Sequence, residues 1–293
     1  MSKRGWILFL SLGVLWGMPY LLIRIAVAHI DPVVMAGSRT LLGSLLLLPI
    51  ALHRKALGPA FGKLGWLVAF TLIEINIPWW LLGHAEKQLN SSTAGLLIAV
   101  VPLFAAIIVT KLGHEKLEAR RLLGLGLGFA GVAVLVGLDI DLSHMGAVAL
   151  TIVVAFCYAI GPIIIDRKLN DVPAIGVIAA SLIVATLIYA PFAPFLMPEV
   201  MPPASSVISV IGLGVLCTAA AFMVFFALIA EVGPARATVI TYVNPAVAIL
   251  LGAVVLHEPL TIGMLVGFPL VIAGSFLGTS RSASGHGVEA QKA

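Results

Sequence analysis

Ten continuous apolar stretches dominate the sequence, and each is about as long as a helix that crosses a lipid bilayer. A transmembrane helix needs about 20 mainly apolar residues. Only helices and closed barrels satisfy every backbone hydrogen bond in lipid, and continuous rather than alternating apolar runs favour helices. The sequence therefore predicts an all-α integral membrane protein with ten transmembrane helices, at residues 6–28, 33–52, 64–83, 92–110, 122–138, 145–165, 174–195, 207–230, 235–256 and 260–279.

Composition excludes the main alternatives to a membrane protein. Hydrophobic residues make up 61% of the 293-residue chain and charged residues only 10%, whereas a soluble domain carries about 25% charged residues. A disordered chain has far less apolar surface than this. The basic residues are scattered between the apolar stretches, which argues against binding of nucleic acid. Two isolated cysteines, Cys157 and Cys217, offer neither a disulfide framework nor a zinc spacing.

Positive charge is unevenly divided between the loops on the two sides of this ten-helix topology. Fourteen Lys and Arg residues lie on the side of the N-terminus, and Lys87 alone lies on the opposite side. Short loops rich in Lys and Arg stay in the cytoplasm. We therefore predict that both termini are cytoplasmic, which agrees with an even number of helices.

The two halves of the chain repeat each other at an offset of 143 residues. Each half holds five predicted helices, and an odd number makes the second half enter the membrane from the opposite side. We therefore predict two inverted five-helix repeats, at residues 1–138 and 139–279, followed by a disordered cytoplasmic tail at residues 280–293. Inverted repeats are typical of secondary transporters with a site near the midplane, and a channel or a duplicated scaffold is the alternative. The aligned residues include Pro102 with Pro245, His114-Glu115 with His257-Glu258, Gly124 with Gly267, and Gly131 with Gly274.

Glu74 is the strongest single candidate for a residue that handles substrate. It lies midway along the third predicted helix, where an ionised group costs about 2.5–3.5 kcal/mol on insertion scales. Such a carboxylate faces a water-filled cavity or the protein interior, where it would bind an ammonium group or relay a proton. The alternative is a purely structural ion pair with Arg39 in the second helix.

Aromatic and polar side chains recur at helical spacing on three of the predicted helices. An aromatic wall and a few polar groups suit a cavity that holds an amino acid. The aromatic residues near a helix end have an alternative position in the belt at the membrane surface. The predicted substrate-binding residues are Trp16 and Tyr20 on the first helix, Glu74, Asn76 and Trp80 on the third, and Thr241, Tyr242 and Asn244 on the ninth.

Prolines and glycines give structural rather than chemical signals. Pro102 and Pro245 lie near the middles of the fourth and ninth helices, where each removes a hydrogen bond and bends the helix. The bends would act as hinges for gating or as static features of the bundle. Glycines spaced four apart in the fifth and tenth helices predict close packing, either between these two helices or at a dimer face.

Motifs for enzymatic chemistry are missing from the sequence. The two His-Glu pairs lack the second histidine of a zinc protease, since Glu118 and Thr261 occupy those positions. No phosphate-binding loop is present, so the chain is not itself an ATP-driven pump. We predict no catalytic residue, no metal and no cofactor.

The stretches LNSSTAGLLIAVVPLFAA and VGPARATVITYVNPAVAILLGAVVLHEPL, with the Arg39-bearing SRTLLGSLLLLP, resemble the EamA family of the drug/metabolite transporter superfamily. The resemblance implies ten helices in two repeats and efflux of small metabolites across a bacterial inner (plasma) membrane. Within the superfamily the chain looks most like the YddG-type exporters of aromatic and other neutral amino acids. Arg39 then has a packing or gating role. Purines, thiols and drug-like cations are alternative substrates, and a channel or a membrane-embedded enzyme is the alternative outside transport. Proton coupling, net direction and oligomeric state are left open.

Overall fold

The computed structural model describes residues 2–111, 119–233 and 238–279, and every regular element in these ranges is helical. Among the described residues, two π-helical segments, Leu72–Asn76 and Val215–Ala220, each join two α-helices. The α-helices are α1 (Lys3–Val27), α2 (Pro32–His53), α3 (Leu57–Phe61), α4 (Leu64–Thr71), α5 (Ile77–Ala85), α6 (Ser91–Ile98), α7 (Val101–Lys111), α8 (Ala119–Asp139), α9 (Met145–Lys168), α10 (Ala174–Tyr189), α11 (Ala204–Gly214), α12 (Ala221–Val232), α13 (Asn244–Val255) and α14 (Ile262–Thr279).

Each of the ten apolar stretches contains helical residues in the part that the structure describes, although some bounds differ from the predicted ones. Within the described ranges, seven continuous helical runs are long and apolar enough to cross a membrane, and three shorter apolar helices lie in the remaining stretches, at Ala174–Tyr189, Ile240–Val255 and Ile262–Leu277. The protein is therefore a multi-pass membrane protein. The predicted tail at residues 280–293, the pair His114-Glu115 and residues 235–237 lie outside the described residues.

The seventh stretch ends earlier than predicted. We expected a helix over residues 174–195, but α10 ends at Tyr189 and a short 3-10 turn follows at Ala193–Leu196. Pro191 and Pro194 explain the difference, because proline has no N–H for the helix and its ring clashes with the carbonyl four residues earlier.

Each of the two prolines predicted to bend a helix lies at the start of an α-helix. The fourth stretch is divided into α6 and α7, with Pro102 as the second residue of α7. Pro245 is likewise the second residue of α13, after the 3-10 turn Thr238–Tyr242. Proline is favoured in the first turn of a helix, where its missing N–H would have no partner. In the fourth stretch the buried Ser275 hydroxyl donates to the Ala99 carbonyl at the break, 3.1 Å away.

The two π-helical segments occupy equivalent positions in the two halves, because the 143-residue offset places Leu72 on Val215 and Glu74 on Cys217. A π-turn closes an i→i+5 hydrogen bond and often marks a functional site. In the first segment Pro78 lacks the N–H that the Glu74 carbonyl would use in a regular helix. Nothing in the hydrophobic pattern predicts these widened turns.

The glycines of the fifth and tenth stretches pack α8 against α14. A Cβ on Gly131 would lie 2.8 Å from the carbonyl oxygen of Gly267, and a Cβ on Gly274 would lie 2.6 Å from that of Gly124. The 143-residue offset exchanges these two contacts with each other. The two helices therefore meet around a local two-fold relation, and the glycines allow their backbones to touch.

Enlarging Gly131 is expected to destabilise the fold, whereas enlarging Gly126 on the same helix is not. A side chain at Gly131 meets the backbone of α14, but a Cβ at Gly126 has no atom of the described residues within 4 Å. Overpacking costs about 1–3 kcal/mol, so Gly131→Leu should lower the melting temperature in detergent and Gly126→Leu should leave it near the wild-type value. Equal melting temperatures for the two variants would contradict the packing described here.

Candidate functional site

Arg39 lies in the interior of the bundle and joins three helical runs. The residue is 6% exposed. Its Nε–H donates to the Thr218 hydroxyl in the second π-segment at 2.9 Å, and its guanidinium carbon lies 3.6 Å from the centroid of the Trp79 ring. A desolvated cation over an indole is stabilised by about 2 kcal/mol. Arg39 therefore holds α2 against both π-containing runs.

Glu74 lies in the first π-segment and faces α9. The residue is half-buried, and its Oε2 atom is shielded from solvent with no hydrogen-bond partner among the described residues. A Cβ at Gly161 would collide with the Glu74 carboxylate, so α9 has room for this side chain only because position 161 is glycine. The salt bridges found in the described residues do not join Glu74 to Arg39, so the structural ion pair considered from the sequence is not formed in this structure.

Asn76 ends the first π-segment and is tied to α10. The Tyr189 hydroxyl donates to the Asn76 carbonyl at 2.6 Å, and the Asn76 Nδ2 donates to the Ala185 carbonyl at 3.3 Å. The Asn76 Oδ1 atom is buried and has no hydrogen-bond partner in the described part of the chain. Asn76 therefore has both an anchoring role and a free acceptor.

Two further tyrosines complete the interior around these groups. The Tyr158 hydroxyl interacts electrostatically with the Trp79 indole, with Glu74 and with Arg39. Tyr20 is buried and packs over Gly95 of α6, where a Cβ would lie 3.4 Å from the tyrosine ring. The name central cluster is used below for Arg39, Glu74, Asn76, Trp79, Tyr158, Tyr189 and Thr218.

The remaining predicted residues lie in different parts of the bundle. Trp16 is half-buried and packs on two phenylalanines of α12, Phe225 at 4.8 Å and Phe222 at 6.0 Å between ring centroids. Asn244 is half-buried, with an Oδ1 atom that lacks a hydrogen-bond partner among the described residues, and its carbonyl abuts Gly17. The structure therefore places these two residues on the α1 side of the bundle, where Tyr20 also lies.

Trp80 and Tyr242 contact residues outside the central cluster. Trp80 is 41% exposed and contacts the His84 ring at 5.1 Å. The Tyr242 hydroxyl donates to the Ser275 carbonyl at 3.2 Å, and the half-buried Thr241 precedes it in the same 3-10 turn. Beside Tyr242 lies an open apolar groove of about 510 Å³, lined also by Phe268, Pro269, Ile272, Ala273 and Phe276.

Four members of the central cluster were absent from the predicted site: Trp79, Tyr158, Tyr189 and Thr218. Trp79 is adjacent to Trp80 in sequence, and the membrane belt explained both equally well. Tyr158 and Tyr189 each lie inside a long apolar stretch with no polar stripe around them. One feature of the sequence could have indicated Thr218, because the internal repeat aligns its neighbour Cys217 with Glu74.

The model of the EamA-like transporter family matches the chain twice, over residues 3–137 and 145–279. The chain belongs to this family. It is a membrane transporter. The family and the similar curated proteins are transporters, which indicates transport rather than catalysis. Similar curated proteins include the transporter YvbV of Bacillus subtilis, 29% identical over 96% of this chain and 93% of that protein. The inner membrane transporter YedA of Escherichia coli is 30% identical over 83% of this chain and 79% of that protein.

Two further similarities bear on the fold and on the substrate. A probable amino-acid metabolite efflux pump of Salmonella typhimurium is 24% identical to this EamA-like transporter over 94% of this chain and 95% of that protein. A protein of known crystal structure superposes with a TM-score of 0.67, covering 95% of this chain and 97% of the other at 18% identity. The second likeness shows the fold alone.

Proposed function

We propose that this EamA-like transporter exports aromatic and other neutral amino acids by alternating access through a site around Glu74. The observation that carries the proposal is a carboxylate inside the bundle with no cationic partner among the described residues and with aromatic side chains beside it. A carboxylate at this depth binds an ammonium group, and Trp79 and Tyr158 offer surfaces for an aromatic side chain. The similarity to a probable amino-acid metabolite efflux pump supports the same substrate class.

The proposed architecture is ten transmembrane helices in two inverted five-helix repeats, with both termini in the cytoplasm of a bacterium. Three observations support the repeat: the family model matches each half of the chain, the π-segments occupy equivalent positions, and the α8–α14 glycine contacts exchange under the repeat register. Alternating access would then arise from rocking of one group of helices against another around the central cluster. Arg39 would act as a positioning or gating residue through its contacts to Trp79 and Thr218.

Drug-like organic cations are the second candidate substrate class. Glu74 and the aromatic rings beside it would bind an organic ammonium ion whether or not the molecule also carries a carboxylate. The two candidates therefore differ in whether the substrate carboxylate contributes to binding.

Thermal stabilisation by three related ligands distinguishes these candidates. A ligand at 100 times its Kd stabilises the folded state by about 2.7 kcal/mol. We expect phenylalanine to raise the melting temperature of the purified protein, and hydrocinnamate, which lacks the ammonium group, to leave it unchanged. Phenethylamine, which lacks the carboxylate, should act more weakly than phenylalanine. Stabilisation by phenethylamine alone would favour organic cations, and stabilisation by hydrocinnamate equal to that by phenylalanine would contradict the role of Glu74.

A further inference from the structure

A cluster of hydrogen bonds joins the two halves of the chain at the end of the bundle where α1 ends. Glu258, between α13 and α14, accepts from the backbone N–H of Ser91 at 2.8 Å and of Ser92 at 3.0 Å. The two serine hydroxyls donate to the same carboxylate. His257 adopts a left-handed conformation with φ of 54°, which is uncommon for a residue with a side chain. The contact of Glu258 with Ser91 and Ser92 is called the clasp below.

Both oxygens of the Glu258 carboxylate accept hydrogen bonds in the clasp. Four donors surround Glu258, and they include the first N–H groups of α6, which have no partner within the helix. The positive end of a helix dipole adds to this stabilisation. Gly252 leaves the necessary space, since a Cβ there would lie 2.9 Å from the Ser91 hydroxyl and would collide with Glu258.

Glu86 lies near the clasp, but its carboxyl group, unlike that of Glu258, has no hydrogen-bond donor among the described residues. It directly follows α5, is 0% exposed, and neither of its carboxyl oxygens has a hydrogen-bond partner among the described residues. The Arg24 side chain donates to the backbone carbonyl of Glu86 instead of to its carboxylate.

The charges around Glu86 come from three other parts of the chain. Electrostatic interactions reach this group from Arg24 on α1, Glu258 in the clasp and Arg39 on α2, and from Tyr20 on α1. Burial raises the pKa of the Glu86 carboxyl well above its ordinary range, Arg24 opposes the shift, and the charge of Glu258 adds to it. An ionised carboxylate without donors in such a place costs several kcal/mol, so the neutral acid is the form that fits this structure.

We propose that Glu86 is a proton-binding site, occupied while the clasp is closed and emptied when it opens. Opening separates α6 from Glu258 and admits water, so that the Glu86 O–H bond breaks, the proton passes to water, and the carboxylate pairs with Arg24. The inference rests on the proposed alternating access. It assigns the proton as the coupling ion and places its site at the end of the bundle that holds the clasp. In the proposed orientation this end faces away from the cytoplasm.

The sign of the pH dependence follows from the two states. Because the closed state holds the proton more tightly, closure is favoured at low pH and is lost as the pH rises through the pKa of the closed state. Between the pKa values of the open and closed states, the ratio of closed to open molecules changes up to about tenfold per pH unit. Glu86→Gln cannot ionise and should stay closed throughout.

Spin-label distances across the clasp test the proposal without measuring transport. Labels on Gln88→Cys, between α5 and α6, and on Leu260→Cys, between α13 and α14, occupy exposed positions in opposite halves. The background replaces Cys157 and Cys217 by alanine, and the protein is held in nanodiscs between about pH 5 and pH 9, a range that contains the raised pKa values of buried carboxyls.

We expect the wild-type distance distribution to shift from short to long as the pH rises, and Glu86→Gln to keep the short distance throughout. Glu199→Gln, which removes an exposed glutamate that follows α10, should titrate like the wild type. Glu258→Gln should favour the long distance at every pH, because it breaks the clasp directly. A wild-type distribution independent of pH, or a Glu86→Gln variant that titrates like the wild type, would overturn the proposal. Both results are readable even if no amino acid proves to be a substrate.

Discussion

Replacing Glu74 by glutamine is expected to weaken amino-acid binding by about 10- to 100-fold, since a hydrogen bond to a charged group contributes about 1.5–3 kcal/mol. Glutamine keeps the size and shape of the side chain, so α9 still fits against it. Binding is measured by the rise in melting temperature with phenylalanine concentration. Glu231→Gln serves as the matched control and should bind phenylalanine normally. Glu231 lies near the N-terminal end of α1, where the Ser2 hydroxyl donates to its carboxylate.

The same carboxylate can be displaced without changing its chemistry. Gly161→Ala places a methyl group against the Glu74 carboxylate, whereas the methyl group of Gly146→Ala on the same helix has no neighbour within 4 Å in the described part of the chain. We expect Gly161→Ala to weaken binding and Gly146→Ala to leave it unchanged, as the melting temperature curves will show. Wild-type affinity in both Glu74→Gln and Gly161→Ala would mean that Glu74 contributes only to packing.

Replacing Arg39 by lysine is expected to reduce the transport rate at least about 10-fold although the positive charge remains. Lysine has neither the planar group that lies over Trp79 nor an Nε–H in the position that donates to Thr218. The measurement is the exchange rate of labelled phenylalanine in proteoliposomes, beside the melting temperature of the same preparation. Arg4→Lys is the control, because the Arg4 side chain is 75% exposed and lies 4.0 Å from Glu231.

A positioning role and a purely structural role of Arg39 predict different patterns. Thr218→Val removes the hydrogen-bond acceptor but leaves the cation over Trp79. It should therefore lower the exchange rate less than Arg39→Lys does if the aromatic contact dominates. If Arg39 serves only stability, the exchange rate of each folded variant should match the wild type whatever its melting temperature. That result would remove Arg39 from the gating mechanism.

The sequence predicted what depends on hydrophobicity and on single residues along the chain. The apolar stretches marked the helices, Pro102 and Pro245 marked the interruptions, and the spaced glycines marked the α8–α14 contact. The end of α10 was misplaced because residues 190–195 are apolar enough to extend the stretch, although Pro191 cannot continue a helix.

The interior of the bundle could not be predicted in the same way. Asn76 and Trp80 share a face in a regular helix, but a π-turn places residues five apart on one side, and Trp79 rather than Trp80 is the buried tryptophan. The pairing of Arg39 with Trp79 and Thr218 joins residues 40 to 179 positions apart. Such contacts are set by how the helices pack, and no local pattern contains that information.

Counterflow in proteoliposomes tests most directly the claim that this protein carries amino acids through a site around Glu74. Vesicles loaded with unlabelled phenylalanine are diluted into a trace of labelled phenylalanine, and the label inside is followed with time. A carrier predicts a transient accumulation above the outside concentration, which Glu74→Gln should abolish and Glu231→Gln should preserve. Equilibration without accumulation would indicate a channel, and no uptake by demonstrably folded protein would contradict the assignment of neutral amino acids as substrates.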